Sequence, residues 1–288
     1  MFCESGGHWL ARLDGFLKGV PEAMGRVLFD EELPGQRLAY MLDGADTGIG
    51  PTGIFWLGGF KSDMTGTKAE NLADLARASR RNLLRFDYSG HGQSGGLFVD
   101  GTISDWLEQA THMFLRHTEN PRIVVGSSMG GWLALLMTRL LLREDPLAAR
   151  RIAGLVLIAP AADMTHDLMW DHFSDAMKLE MDERGLTLLP SGYGEPYPIT
   201  LKLIEDGRRH LLLDEGLSLP MPVRILQGSM DQEVPPAHAV KTFEALNASD
   251  ITLTFLKGGD HRLSTAVQLR IIQETVLALA ERADGIRM

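Results

Sequence analysis

The chain alternates short, almost unbroken apolar runs with longer amphipathic ones, and this alternation restricts the fold more than any single residue does. The runs Ile54 to Leu57, Leu83 to Phe86, Ile123 to Val125, Ile152 to Ala159, Val223 to Leu226 and Ile251 to Leu256 have the length of strands rather than helices. A strand that is apolar at nearly every position must be covered on both faces. Helical spacing over 68–80, 102–117, 129–143, 235–247 and 264–283 supplies the covering layers. Strands separated in this way by helices predict an α/β fold with a mostly parallel central sheet. Ahead of them, Val27 to Phe29 and Leu38 to Leu42 flank Leu33-Pro34-Gly35 and predict an opening antiparallel hairpin.

The alternation breaks once. More than sixty residues separate Ala159 from Val223, too many for one crossover. Met164, Met169, Trp170, Phe173, Met177 and Met181 lie there among polar residues, and Pro190-Ser191-Gly192-Tyr193-Gly194-Glu195-Pro196 reads as a turn-rich joint. Two readings are open: a cap whose pliable methionines suit acyl chains, or a stretch packed on a small core of its own. The chain divides accordingly into an N-terminal extension (1–25), a first core part (26–162), a cap insertion (163–220) and a second core part (221–288). In the extension, Leu10, Leu13, Leu17 and Val20 recur at helical spacing and predict a surface helix. Glu4, Asp14 and Glu22 interrupt the basic character a transit peptide needs.

Composition removes several functions. With 288 residues the chain buries enough surface to fold without disulfides, and its single cysteine, Cys3, fits a reducing compartment such as the cytoplasm. A formal net charge of −10 disfavours nucleic acid and anionic membranes as partners. No apolar run reaches the length of a membrane-spanning helix. Oligomeric state is not legible.

Between the run ending at Val125 and the helical pattern from Met129 stands Gly126-Ser127-Ser128-Met129-Gly130-Gly131. In a strand–turn–helix setting G-x-S-x-G forces a sharp turn that lifts the central serine, Ser128, out of the fold. The same pattern occurs again at Gly92-Gln93-Ser94-Gly95-Gly96, where Gly90 to Gly95 also fits the dinucleotide fingerprint G-x-G-x-x-G. The next residues in that stretch are Leu97-Phe98-Val99-Asp100-Gly101, not a helix, so no aligned N–H groups stand ready for a phosphate. Ser94 belongs to a tight loop at a strand end.

A serine hydroxyl needs a base to take its proton and a carboxylate to orient that base. In this architecture both should come after late strands, in the order Ser, Asp, His. Asp231 follows the strand Val223 to Leu226 on the loop Gln227-Gly228-Ser229-Met230-Asp231. His261 follows Ile251 to Leu256 on Lys257-Gly258-Gly259-Asp260-His261. Glu233 competes for the acid, but it stands nearer a helix start, where a carboxylate has a capping or dipole role. Asp260 is placed to bond loop backbone. Most of the nine histidines are assigned to the surface or the cap. His91 lies in the glycine loop and His238 at a helix start, so neither competes well. The oxyanion donors expected are the backbone N–H groups of Met129 and of Phe60, which follows Ile54 to Leu57 and Gly58-Gly59. His166-Asp167 and Asp171-His172 offer metal-ligand types, yet they lack the i, i+4 histidine pair of a helix-borne zinc site and read as a solvated face. No cofactor or metal is called for.

The stretches Gly66-Thr67-Lys68, Arg85-Phe86-Asp87-Tyr88-Ser89-Gly90, Gly126 to Leu133 and Asp260-His261-Arg262 resemble the α/β-hydrolase superfamily, over about residues 28 to 280. More narrowly they resemble its mitochondrial acyl-protein thioesterase and acyl-glucuronide esterase branch. The resemblance implies an α/β-hydrolase fold with a cap insertion, and it puts nucleophile, acid and base on Ser128, Asp231 and His261. The cap departs most from the family. The expectation is therefore a cofactor-independent serine hydrolase of carboxylic esters or thioesters, acting on a small-molecule or acyl-protein substrate. A peptidase of the same fold and a non-catalytic small-molecule receptor are the alternatives.

Overall fold

The computed structural model describes residues 25–44, 51–191 and 194–285. The helix expected around Leu10 to Val20, and Cys3, lie outside the described residues. The chain opens with strands β1 (Leu28–Asp30) and β2 (Leu38–Asp43), then β3 (Gly53–Leu57), helix α1 (Thr67–Ser79) and β4 (Leu83–Phe86). It continues through α2 (Ile103–His117), β5 (Arg122–Ser127), α3 (Met129–Glu144), the short α4 (Pro146–Ala149) and β6 (Ile152–Ile158). A π-helical turn (Met164–Met169), α5 (Asp175–Arg184), β7 (Leu186–Ser191), β8 (Gly194–Thr200), α6 (Leu201–Gly207) and β9 (Leu217–Ser218) come next. The last elements are β10 (Val223–Gly228), α7 (Pro236–Ala245), β11 (Leu246–Asn247), β12 (Ile251–Leu256) and α8 (Ala266–Gly285).

Eight of these strands make one sheet in the order β1-β2-β4-β3-β5-β6-β10-β12. β1, β2 and β4 pair antiparallel, and every pairing from β4 to β12 is parallel. Period-2 alternation sends neighbouring strand residues to opposite faces. Phe55, Leu57, Val124, Leu155 and Leu157 join the core on one face, under α2 and α3. Ile54, Trp56, Ile123, Val125, Val156 and Ile158 join the other, under α1 and α8. That two-sided burial is why the strands read as continuous apolar runs. Helix α3 is buried at every position from Met129 to Thr138, as a helix apolar all round must be.

Local chemistry fixes the helix ends. Thr102 caps α2 by accepting from the Asp105 N–H at 3.1 Å, and Ser174 and Thr200 cap α5 and α6 in the same way. α7 stops earlier than its pattern suggests, because Leu246 and Asn247 pair with Leu217 and Ser218 of β9 instead of continuing the helix. The Pro190 to Pro196 stretch is not a simple joint. Pro190-Ser191 and Gly194-Glu195-Pro196 belong to paired strands of an antiparallel hairpin, β7 with β8. Both strands of a two-stranded ladder are edges, so proline is tolerated where its missing N–H faces outward. Met164, Met169, Phe173 and Met181 are all buried and belong to the core cluster that also holds α3. These four side chains therefore pack into the core shared with the sheet and α3, not into a small core of their own.

Candidate active site

Ser128 sits between β5 and α3 with φ 55° and ψ −120°, a conformation costly for any residue with a Cβ. The turn is held from three sides. Its N–H donates to Ile158 O at 2.9 Å, and its carbonyl accepts from Gly131 N at 2.9 Å and Ala161 N at 3.1 Å. The glycines are required by space. A Cβ on Gly130 would stand 2.1 Å from Leu57 O, so only glycine lets α3 start this close to β3. The second pattern is built differently. Gly92 has φ +46°, and a Cβ there would meet Asp87 Oδ2 at 2.0 Å. Ser94 Oγ donates to Asp87 O at 2.6 Å and accepts from Ala39 N at 2.8 Å, so this serine fastens a loop to β2.

The structure brings Ser128, His261 and Asp231 into one line of contacts. His261 Nε2 lies 3.0 Å from Ser128 Oγ, and its Nδ1 lies 2.8 Å from Asp231 Oδ2. An ionised carboxylate only accepts, so the neutral imidazole carries its proton on Nδ1 and leaves Nε2 to accept from the serine hydroxyl. Asp231 is fully buried as a side chain. Its Oδ1 accepts the N–H groups of Glu233 at 3.0 Å and Val234 at 2.8 Å, and its Oδ2 also accepts Gln227 Nε2 at 3.0 Å. Four donors therefore hold the carboxylate in one orientation. Gln227, a polar residue wholly buried at the end of β10, is one that sequence reasoning missed. The available signal was its place at the end of an apolar strand.

Met129 is the first residue of α3, so its N–H has no acceptor within the helix. The loop after β3 lies against the serine: a Cβ on Gly59 would stand 3.4 Å from Ser128 Cβ. Phe60 follows directly. Its ring packs 4.9 Å from Phe98, 5.8 Å from Trp106 and 5.9 Å from Tyr197 of β8, centroid to centroid. This loop is pinned from below. Asp87 accepts Met64 N at 2.7 Å and Gln93 N at 2.8 Å, and burial pushes its carboxyl above the ordinary value. Arg85, itself buried, donates to Met64 O at 2.8 Å and to Asp43 Oδ2 at 2.7 Å. Beside the loop opens a cavity of about 440 Å³ lined by Lys61, His91, Phe98, Val99 and Pro198 among others.

One expectation about neighbouring residues changes. Glu233 does not cap α7, whose N-cap is Pro235 without a side-chain bond; its Oε2 instead lies 3.7 Å from His261 Nε2. His91 and His238, weak competitors for the base by their places in the chain, lie inside the fold. Both are buried, His91 among Phe60, Tyr88, Phe98 and Trp106, and burial lowers the pKa of each. Their ring N–H groups donate to Ser89 O at 3.1 Å and Ala162 O at 2.8 Å, which are structural bonds. Asp260 accepts Leu263 N at 3.1 Å, the loop bond expected of it.

Lys68 stands in the first turn of α1. Its Nζ donates to Arg262 O at 2.5 Å, and burial lowers its pKa to about 8. A second Ser–His–Asp group also exists. Ser104 Oγ lies 2.7 Å from His210 Nε2 and 2.8 Å from Asp206 Oδ1. There the carboxylate approaches Nε2 (3.8 Å) rather than Nδ1 and bonds the serine directly, so it blocks proton relay and instead ties α2 to α6. His166, Asp167 and Asp171 cluster as well, but Lys241 Nζ already sits 2.7 Å from Asp167 Oδ2. Among the described residues no helix is long and apolar enough to cross a membrane.

Comparison with known proteins bears on this geometry. A family model described as serine aminopeptidase, S33 (Hydrolase_4), matches residues 62–191. Palmitoyl-protein thioesterase ABHD10, mitochondrial, of Bos taurus is 28% identical over 236 residues, spanning 81% of this chain and 74% of that protein. The structure of alpha/beta hydrolase domain-containing protein 10 from mouse aligns with a TM-score of 0.78 at 27% identity, covering 89% of this chain and 99% of that one. A crystal structure of a protein from Agrobacterium vitis S4 aligns with a TM-score of 0.82 at 39% identity, covering 89% and 98%.

Proposed function

The chain belongs to the α/β-hydrolase superfamily, and from that premise we propose that it cleaves carboxylic esters or thioesters through an acyl-enzyme on Ser128. One observation carries the reading: a serine on a strained turn, 3.0 Å from an imidazole whose other nitrogen is 2.8 Å from a buried carboxylate. Such a serine loses its proton to Nε2 as Oγ attacks an acyl carbonyl, and Asp231 stabilises the imidazolium formed. The N–H groups of Met129 and Phe60 take the oxyanion. His261 then returns the proton to the departing oxygen or sulfur. A water that gives its proton to the same nitrogen releases the acid and restores Ser128. The proton account closes on these side chains.

Thioesters are included because a thiol of pKa about 8.5 leaves more readily than an alcohol. The name of the Bos taurus relative, palmitoyl-protein thioesterase, supports the same choice. We also assign residues 163–220 the role of a cap that selects substrate, since Tyr197 of β8 packs on Phe60, the residue after the glycine that lies against Ser128. For location we propose the cytoplasm, against the mitochondrion named for that relative; fractionation of the full-length chain with a C-terminal tag decides between them.

The test is a fluorophosphonate probe together with a matched panel of 4-nitrophenyl esters, acyl thioesters and 4-nitroanilides. Labelling and hydrolysis should occur in the wild type and vanish in Ser128→Ala, with esters and thioesters turned over well ahead of anilides. Hydrolysis that survives Ser128→Ala refutes the site. Anilides turned over faster than esters would favour the peptidase suggested by the family model's description.

A further inference from the structure

We infer that Lys68 is a positioning residue, a clamp that holds the histidine loop at the reach the Ser128–His261 contact requires. The inference rests on the serine-hydrolase reading and adds a part to that machinery. Lys68 stands in the first turn of α1, the end of a helix that disfavours a cation. Its ammonium nevertheless folds back on the protein and donates at 2.5 Å to the carbonyl of Arg262, the residue after His261. The charged groups facing it are Asp260, Asp231 and Glu233, which favour the cation, and Arg262, which opposes it. Burial outweighs the carboxylates and brings its pKa down to about 8. A lysine serving only solubility would point to solvent and keep an ordinary pKa. This one, half-buried, instead spends its ammonium on the carbonyl of the residue after the base.

The two sides of the site meet at this bond. Upstream, the loop carrying Gly59 and Phe60 runs into α1, and Asp87 and Arg85 pin that loop at Met64. Downstream, the stretch before His261 is tied to the loop of Asp231. Met230 N donates to Gly259 O at 2.8 Å, and Gly258 N donates to Ser229 Oγ at 2.8 Å. Beyond His261 the Lys68 bond carries the loop across to α1. The imidazole is thus gripped through its ring by Asp231 and through the next peptide by Lys68, itself fixed to the oxyanion side. Proton transfer tolerates little displacement, and a shift of about 1 Å can cost about a hundredfold in rate.

The experiment uses the full chain with 4-nitrophenyl butyrate as probe. Lys68→Met keeps the aliphatic stem and removes the ammonium, whereas Lys68→Arg keeps a donor and a charge that persists at high pH. In Lys68→Met, kcat should fall by about ten- to a hundredfold with KM within about twofold, and the thermal midpoint should be no lower than in the wild type. Lys68→Arg should recover most of kcat and remain flat above pH 8, where wild-type kcat declines as the lysine loses its proton. An unchanged kcat in Lys68→Met overturns the clamp. So does a loss that accompanies a lowered midpoint and is not rescued by arginine. Ser128→Ala is measured in the same series. Activity surviving there overturns the serine reading and the clamp with it, while an inactive Ser128→Ala beside a normal Lys68→Met overturns the clamp alone.

Discussion

Replacing Asp231 by asparagine changes one atom, and the contacts around that atom determine the outcome. The two backbone N–H groups on Oδ1, from Glu233 and Val234, belong to the loop and cannot turn away. They therefore claim the one oxygen that asparagine retains. Its NH₂ group is then forced into the place of Oδ2, facing two donors, Gln227 Nε2 and His261 Nδ1. Gln227 can escape by flipping its amide, because its Oε1 is buried without a partner; the flip gives up its bond to Val234 O at 2.9 Å. His261 can escape only by moving its proton from Nδ1 to Nε2. Nε2 then becomes a donor toward Ser128 and cannot act as base.

The stability cost is that of one disturbed buried hydrogen-bond set, about 1–3 kcal/mol. In a chain of this size that lowers the thermal midpoint by a few degrees. The catalytic cost is that of a wrong tautomer, about ten-thousandfold in kcat, as the same change produces in a serine-protease triad. Stopped-flow release of 4-nitrophenolate from 4-nitrophenyl butyrate reads the acylation step, and calorimetry reads the midpoint. Asp231→Ala is the control, because it leaves Nδ1 unpaired without forcing the proton to move, and should be no worse than asparagine. Acylation in Asp231→Asn above about a tenth of wild type, or a clearly greater loss in Asp231→Ala, would refute the tautomer argument.

Three further outcomes are set by the geometry. Ser128→Gly should be more stable than Ser128→Ala by about 1 kcal/mol in urea unfolding, since only glycine relieves the φ of 55° at that turn; equal midpoints would remove the strain from the account. Gly92→Ala should cost about 3 kcal/mol, from its positive φ and from a Cβ driven onto the Asp87 carboxylate, and should slow hydrolysis by loosening Met64 and the Phe60 loop. Between pH 8 and 10.5 the unfolded chain holds a proton on Lys68 that the folded chain has released. Wild-type stability should therefore rise relative to Lys68→Met across that window, by about 2 kcal/mol after a discount for residual exposure, in urea melts taken at each pH.

The fold was legible because β3, β4, β5, β6 and β10 are buried along almost their whole length on both faces, whereas the edge strand β12 leaves Thr252, Thr254 and Phe255 exposed. Phe55 and Trp56 face opposite cores, yet in sequence both simply read as apolar. The hairpin β7–β8 was not legible. Its three prolines, Pro190, Pro196 and Pro198, and its glycines have turn chemistry, and an isolated two-stranded ladder imposes no two-sided apolar pattern to outweigh them. At the site, Ser128, Asp231 and His261 could be chosen by their position after strands. Gln227, Glu233 and Lys68 could not, because their contacts come from residues brought close only by folding. The buried histidines make the same point. His91 and His238 carry no mark in sequence that separates them from surface histidines, and only the packing of Phe60, Trp106 and Ala162 around them does so.

Helix α3 is buried along its first ten residues, from Met129 to Thr138. Its amides can exchange with solvent only when the sheet beneath and α2 above come apart together, which amounts to global unfolding. Ser128 begins that helix and so inherits its immobility. His261 sits on a loop where Lys257, Gly258 and Arg262 are exposed, so despite its ties that loop should open at a lower cost than α3. Ser128 and His261 thus belong to opposite ends of the molecule's range of local stability. On the proposed roles, heat or denaturant should displace His261 before Ser128 moves. Deuterium uptake should therefore track loss of activity at 257–265 while 129–138 remains protected.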